Sequence, residues 1–182
     1  MSKNMKSENT YPTSSRLLHW TMAILLVSML FLGLSMVQSL ATWQIEAVKL
    51  HKSFGVLALI LLILRLVNRS LTSAPALPSD LPKWQKLSAK ATHIGLYGAM
   101  LMMPMSGWLM QNADGRAVNV FGLFSLPQLV NTDINLYAIF RETHGLVAWL
   151  FIAMIFMHVG AALYHGLIKQ DGVLSSMLRR KK

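Results

Sequence analysis

The chain contains no cysteine, which excludes a disulfide framework, thiolate-bound zinc and iron–sulfur clusters. Acidic residues are also scarce. Of the seven carboxylates, Glu8, Glu46, Asp80, Asp114, Asp133 and Asp171 lie outside the long apolar runs, and Glu142 is at the very edge of the last one. No intramembrane carboxylate is therefore offered to a proton pump, and none to a carboxylate-type metal site. Charge as a whole is sparse at 13%, against 54% hydrophobic residues and a mean hydropathy of +0.46. That balance describes a small polytopic membrane protein with lipid as its surroundings, folded as one domain over 1–182. The net charge of +10 does not point to nucleic acid, because the basic residues fall between apolar runs and at the ends, as membrane topology requires. The thirteen methionines read as core filler.

Four runs have the length and apolarity of membrane spans: Leu17–Val37, His51–Val67, His93–Met110 and Arg141–Gly166. A polar tail, 1–15, precedes them and a basic tail, 167–182, follows. The first run exceeds the h-region of about 7–15 residues in a signal peptide, so it is read as a span. Ala41–Leu50 is expected to be a connector. Ser70–Lys90, with Pro75, Pro78 and Pro82, is expected to be an interfacial loop. Pro104 and Gly107 predict a kink in the third span. Asn112–Arg141 is expected to be the longest loop, opened by an Asp114-Gly115 turn, with VNVFGLFSLP against the membrane surface. The fold class is all-α, an integral membrane four-helix bundle.

Lys and Arg orient it. With the N-terminus inside, the inner side holds positions 3, 6, 16, 65, 69, 83, 86, 90, 169 and 179–182, and the outer side holds 49, 52, 116 and 141. This is a positive-inside bias with both termini cytoplasmic.

Depth then pairs the histidines. His19 opens the first span at the inner side, and His51 opens the second at the outer side. His144 and His158 share one face of the fourth, fourteen residues apart, or about 21 Å along the axis. His51 matches His144 outside, and His19 matches His158 inside. One membrane histidine alone is readily explained by a backbone hydrogen bond, whereas four at matched depths point to ligation. Two pairs facing across a bundle interior suit axial ligation of two low-spin haems, leaving no position for oxygen and favouring electron transfer. Both would be haem b, since C-x-x-C-H attachment needs cysteine. Zinc or copper also accepts imidazole, and a histidine-lined metal or proton transporter is the corresponding alternative.

The ordered set SRLLHW, LHKSFGVLALILLILRLVNR, HIGLY, ADGRAVNVFGLFSLP, RETHGLVAWLFIAMIFMH and ALYHGLIKQDGVLSSM resembles the bacterial cytochrome b561 group. These are small four-helix dihaem membrane proteins related to the cytochrome b subunits of nickel–iron hydrogenases. The resemblance spans nearly the whole chain. It implies His19 with His158 on the inner haem iron and His51 with His144 on the outer one, in a bacterial inner membrane. It further implies exchange with ubiquinone or another quinone as substrate, and in one branch superoxide:ubiquinone oxidoreduction. A haem-bearing anchor and electron conduit for a periplasmic dehydrogenase or hydrogenase is the second class, with a periplasmic redox protein as partner. Superoxide, an anion, would gain from a positive outer funnel, yet Lys49, Lys52, Arg116 and Arg141 are balanced by Glu46, Asp114, Asp133 and Glu142; Lys52 and Arg141 remain as local foci. Arg65, fourteen residues after His51, is placed either on an inner-haem propionate or snorkelling to the surface. His165, two turns past His158, is either a proton donor to reduced quinone or a solvated interfacial ring. His93, opening the third span, is a candidate contact for a propionate or quinone. Trp20, Trp84, Trp108 and Trp149 are read as interface or packing residues.

Overall fold

Each apolar run proves to be the middle of a longer helix. In the computed structural model, which describes residues 10–38, 41–76 and 81–178, α1 spans Thr13–Val37, α2 Trp43–Leu71, α3 Lys83–Ala113 and α4 Ile134–Leu163. A π-helical turn, Tyr164–Lys169, continues α4, and a short α5 covers Val173–Leu178. The first nine residues of the polar tail, Pro78, Asp80 and the basic residues 179–182 lie outside the described residues.

The helices outrun the apolar stretches for local reasons. The expected connector Ala41–Leu50 is helical from Trp43, because its Gln, Glu, Ala, Lys and Leu are good helix formers. α3 starts directly after Pro82, whose φ of −55° leads into a helix and which needs no N–H there, so the loop expected to reach Lys90 is shorter. α4 begins seven residues before Arg141 because Asp133 caps it, Oδ1 accepting the N–H groups of Asn135 at 2.7 Å and Leu136 at 3.0 Å. α3 continues through Pro104 as one helix.

α1, α2 and α4 with its π-helical turn are long and apolar enough to cross a membrane. α3 falls short in apolarity, not in length: its 31 residues reach about 46 Å, more than the ~30 Å of a hydrocarbon core. It lies between α2 and α4 and packs most extensively on α4. The centre of the bundle is Ala99, Val147 and Phe151, with Leu26, Leu30, Met100, Met103, Met154 and Ile155 around them. Ile24, Phe31, Ile63, Trp149 and Phe156 face outward, as expected where the solvent is lipid and the helices satisfy their own backbone.

The two ends of the bundle are closed differently. At one, a small antiparallel hairpin not expected from the sequence pairs β1, Asn119–Val120, with β2, Phe124–Ser125. It follows the expected Asp114-Gly115 turn, where Gly115 takes a φ of +75°. Ser53 Oγ of α2 accepts the Phe121 N–H at 3.0 Å, Asn112 Oδ1 of α3 accepts the Leu129 N–H at 2.9 Å, and Trp108 Nε1 donates to the Pro127 carbonyl at 3.1 Å. At the other end the segment leading into α1 meets α5. The Tyr11 N–H donates to the Ser176 carbonyl at 3.1 Å and Trp20 Nε1 to the Met177 carbonyl at 3.2 Å, strapping α5 to α1.

Candidate cofactor site

Fourteen residues make four helical turns within a few tens of degrees, so such pairs share a face at two depths. Every long helix carries one: His19 and Gly33 in α1, His51 and Arg65 in α2, His93 and Gly107 in α3, His144 and His158 in α4. Gly33, His51, Gly107 and His144 meet at the hairpin end. The terminal end receives His19, Arg65, His93 and His158.

The structure brings the His51 ring beside that of His144 and the His19 ring beside that of His158. The rings of His51 and His144 lie 6.3 Å apart between centres and are inclined at 70°; those of His19 and His158 lie 6.2 Å apart at 68°. A metal–imidazole bond of about 2.0 Å, plus about 1.1 Å from nitrogen to ring centre, places two trans ligands of one metal about 6.2 Å apart. Both pairs therefore fit a metal held between them. Two imidazoles supply only two ligands, and among the described residues no group of three or more His, Asp or Glu could hold a bare ion. A planar macrocycle that brings its own equatorial ligands matches this donor set.

At the hairpin end, helices approach the rings through glycine. A Cβ on Gly33 would lie 3.4 Å from Cε1 of His51, and one on Gly107 would lie 3.3 Å from Cε1 of His144. His144 is further oriented by Ser106, whose Oγ lies 3.0 Å from Nδ1. Opposite it, Nδ1 of His51 is buried without a hydrogen-bond partner.

The terminal end is electrically different. Arg65 donates from Nε to the Tyr97 hydroxyl at 3.0 Å and lies over the Tyr97 ring, 5.8 Å from its centre. One of its terminal nitrogens, Nη1, is buried with no partner, so Arg65 does not simply snorkel to the surface. His93 does not open its helix as expected. It lies well inside α3, packed edge-on against His158 with centres 5.6 Å apart, closer than a trans pair about one metal.

His165 sits in the π-helical turn, not in a regular continuation of α4. Its Nδ1 is 2.5 Å from Asp171 Oδ2, and the two side chains are 15% and 13% exposed, so it is largely covered and not the solvated ring considered from sequence. Burial acts to raise the Asp171 pKa, but hydrogen bonds from His165 and the Val173 N–H, with the charges of His165 and Lys169, outweigh it and hold the carboxyl below its ordinary range.

Ser106, Tyr97 and Gly33 were not singled out from sequence, Gly107 was read only as part of a kink, and Asp171 only as one of the seven carboxylates. The fourteen-residue period would have found Gly33 and Gly107 once His19 and His93 were taken as its starting points; Ser106 and Tyr97 needed the neighbouring helix.

The chain matches the family model described as prokaryotic cytochrome b561 over residues 10–180. It is similar to cytochrome b561 homolog 2 of Escherichia coli K12, with 36% identity over 172 residues covering 92% of this chain and 90% of that protein. Cytochrome b561 homolog 1 of the same organism is 29% identical over 132 residues, covering 72% of this chain and 74% of that protein.

Proposed function

From the premise that the chain belongs to the prokaryotic cytochrome b561 family, membrane cytochromes that bind b-type haem and transfer electrons, we propose that it is a dihaem cytochrome linking the periplasmic side of a bacterial inner membrane to the quinone pool. The observation that carries the dihaem reading is the matched ring spacing, 6.2 Å and 6.3 Å, at two depths. His51 and His144 hold the outer haem, His19 and His158 the inner one, with the termini and their basic residues in the cytoplasm. Haem, when bound between these histidines, would supply one-electron transfer. The protein's own residues do the rest. Arg65, with its unpartnered Nη1, would hold a propionate of the inner haem, and His93, against His158, borders the same site.

Quinone takes protons with its electrons, and His165 supplies one from Nε2. Asp171 holds the opposite nitrogen and stabilises the imidazolium once His165 is reloaded from the cytoplasm.

Lys52 supports superoxide:ubiquinone oxidoreduction as the finer reading. Lys49 is paired with Glu46 at 2.7 Å and Arg116 with Asp114 at 2.6 Å, whereas Lys52, next to His51 in sequence, among the described residues reaches only the neutral Gln111 side chain at 3.4 Å. A cation not neutralised by a carboxylate beside the outer pair gives a small anion a local target, even though the outer charges sum to zero. The exposed hairpin tip, Phe121, Leu123 and Phe124, supports the second reading, in which this face seats a periplasmic dehydrogenase or hydrogenase and the protein is its anchor and electron conduit.

Stopped-flow absorbance of the purified, reduced protein tests the reading. A ubiquinone analogue is expected to reoxidise it, and His165→Ala to slow that step about 100-fold with both haems retained. Equal rates for wild type and variant across about pH 6–8, where histidine titrates, would remove His165 from the mechanism. Failure of quinone alongside rapid oxidation by a copurifying periplasmic protein would replace quinone oxidoreduction with the conduit.

A further inference from the structure

Ser106 is a buried polar residue, 5% exposed, in the helix facing α4. Its Oγ donates to the Met103 carbonyl at 3.0 Å and also lies 3.0 Å from His144 Nδ1. A hydroxyl has one proton and two lone pairs. With the proton committed to Met103, the oxygen can only accept from the ring. Nδ1 therefore carries the proton, and Nε2 is left with its lone pair free for a metal. Among the described residues His144 alone of the four paired rings has a side-chain hydrogen bond; Nδ1 of His51, across the same site, is buried with none.

We propose that Ser106 is a positioning residue that fixes the tautomer of His144, strengthens it as a donor and lowers the reduction potential of the hairpin-end iron. The proposal rests on the reading of His144 as an axial ligand. An imidazole that donates from Nδ1 has more electron density at Nε2, and the ferric ion, the harder acid, gains more from it than the ferrous ion. The bond therefore favours the oxidised state at this end of the bundle.

The experiment is a potentiometric titration of the full-length dihaem protein, followed by haem absorbance and the low-spin electron paramagnetic resonance signal. His158→Ala, which leaves only the hairpin-end haem, assigns the two couples. In Ser106→Ala the ferric-over-ferrous preference of the hairpin-end couple is expected to fall about three- to tenfold, an upward shift of about 28–59 mV for one electron. The terminal-end couple should stay in place, and Ser106→Thr, which keeps the hydroxyl, should restore the wild-type value. Ser106→Ala with both haems bound and neither couple moved overturns the proposal, as does an equal shift in the Ala and Thr variants. If Ser106→Ala sheds the hairpin-end haem, the proposal holds only where Ser106→Thr keeps it at the wild-type potential; loss from both variants overturns it. Two haems retained in His144→Ala would instead defeat the ligation reading itself, whatever Ser106 does.

Discussion

The two ends of the bundle repeat one geometry with opposite chemistry. At the hairpin end the ring pair is seated between glycines and steered by a neutral hydroxyl. At the terminal end a pair with almost the same spacing is crowded by a third imidazole and a buried guanidinium. The helical period accounts for the likeness, since fourteen residues return each helix to the same face. The difference lies in what each helix places beside the rings. Close approach governs one end and charge governs the other, so the same two-ligand geometry can hold a cofactor in two electrostatic settings.

The most severe test of this contrast removes ligands. His51→Ala and His144→Ala are each expected to lose the hairpin-end haem, and His19→Ala and His158→Ala the terminal-end haem, read as one haem per chain in place of two. A common haem lost from His51→Ala and His158→Ala would dissolve the two layers altogether.

A smaller perturbation separates their chemistry. Arg65→Met should loosen the terminal-end haem alone, by the roughly 1.5–3 kcal/mol of a charge-assisted hydrogen bond, about 10- to 100-fold in retention. Gly107→Val should loosen the hairpin-end haem alone, since even a Cβ meets His144 at 3.3 Å and overpacking costs about 1–3 kcal/mol. Haem retention under rising detergent measures both; equal loss of the two haems in either variant would show that the layers are not independent.

The smallest effect concerns acid. The hairpin end is tied by neutral hydrogen bonds, whereas the His165–Asp171 pair helps tie the terminal end. Because the folded-state pKa of Asp171 is depressed, its contribution is complete above the ordinary carboxylate range and fades as pH falls through the folded-state value. Hydrogen exchange should show the segment 164–178 loosening in acid before the hairpin does. Asp171→Asn should loosen it at neutral pH and flatten that dependence. Identical acid profiles for wild type and variant would remove the pair from the stability of that end.

Much of this was readable in one dimension. Apolar runs had to become helices, because lipid leaves backbone groups no other partner, and the His144–His158 spacing implied two depths before any neighbour was known. Helix ends were misjudged where a local signal was passed over: the Asp133 cap lengthened α4 and Pro82 started α3 early. The third run was read as a span like the others, although the Gly, Ser and Trp residues of α3 dilute its apolarity, and at Gly95 and Gly107 side chains of α4 come close.

The sequence by itself determined the membrane class, the helical period and the two depths that His144 and His158 occupy on one face, since these depend on composition and on spacing along a single helix. Tertiary structure decided that Ser106 meets His144, that Gly107 yields space to the same ring, that Tyr97 holds Arg65 and that a π-helical turn brings His165 to Asp171. The physical reason is that a helix specifies which residues share its own face. Which neighbouring face lies opposite, and in what rotation, is set only when the helices pack.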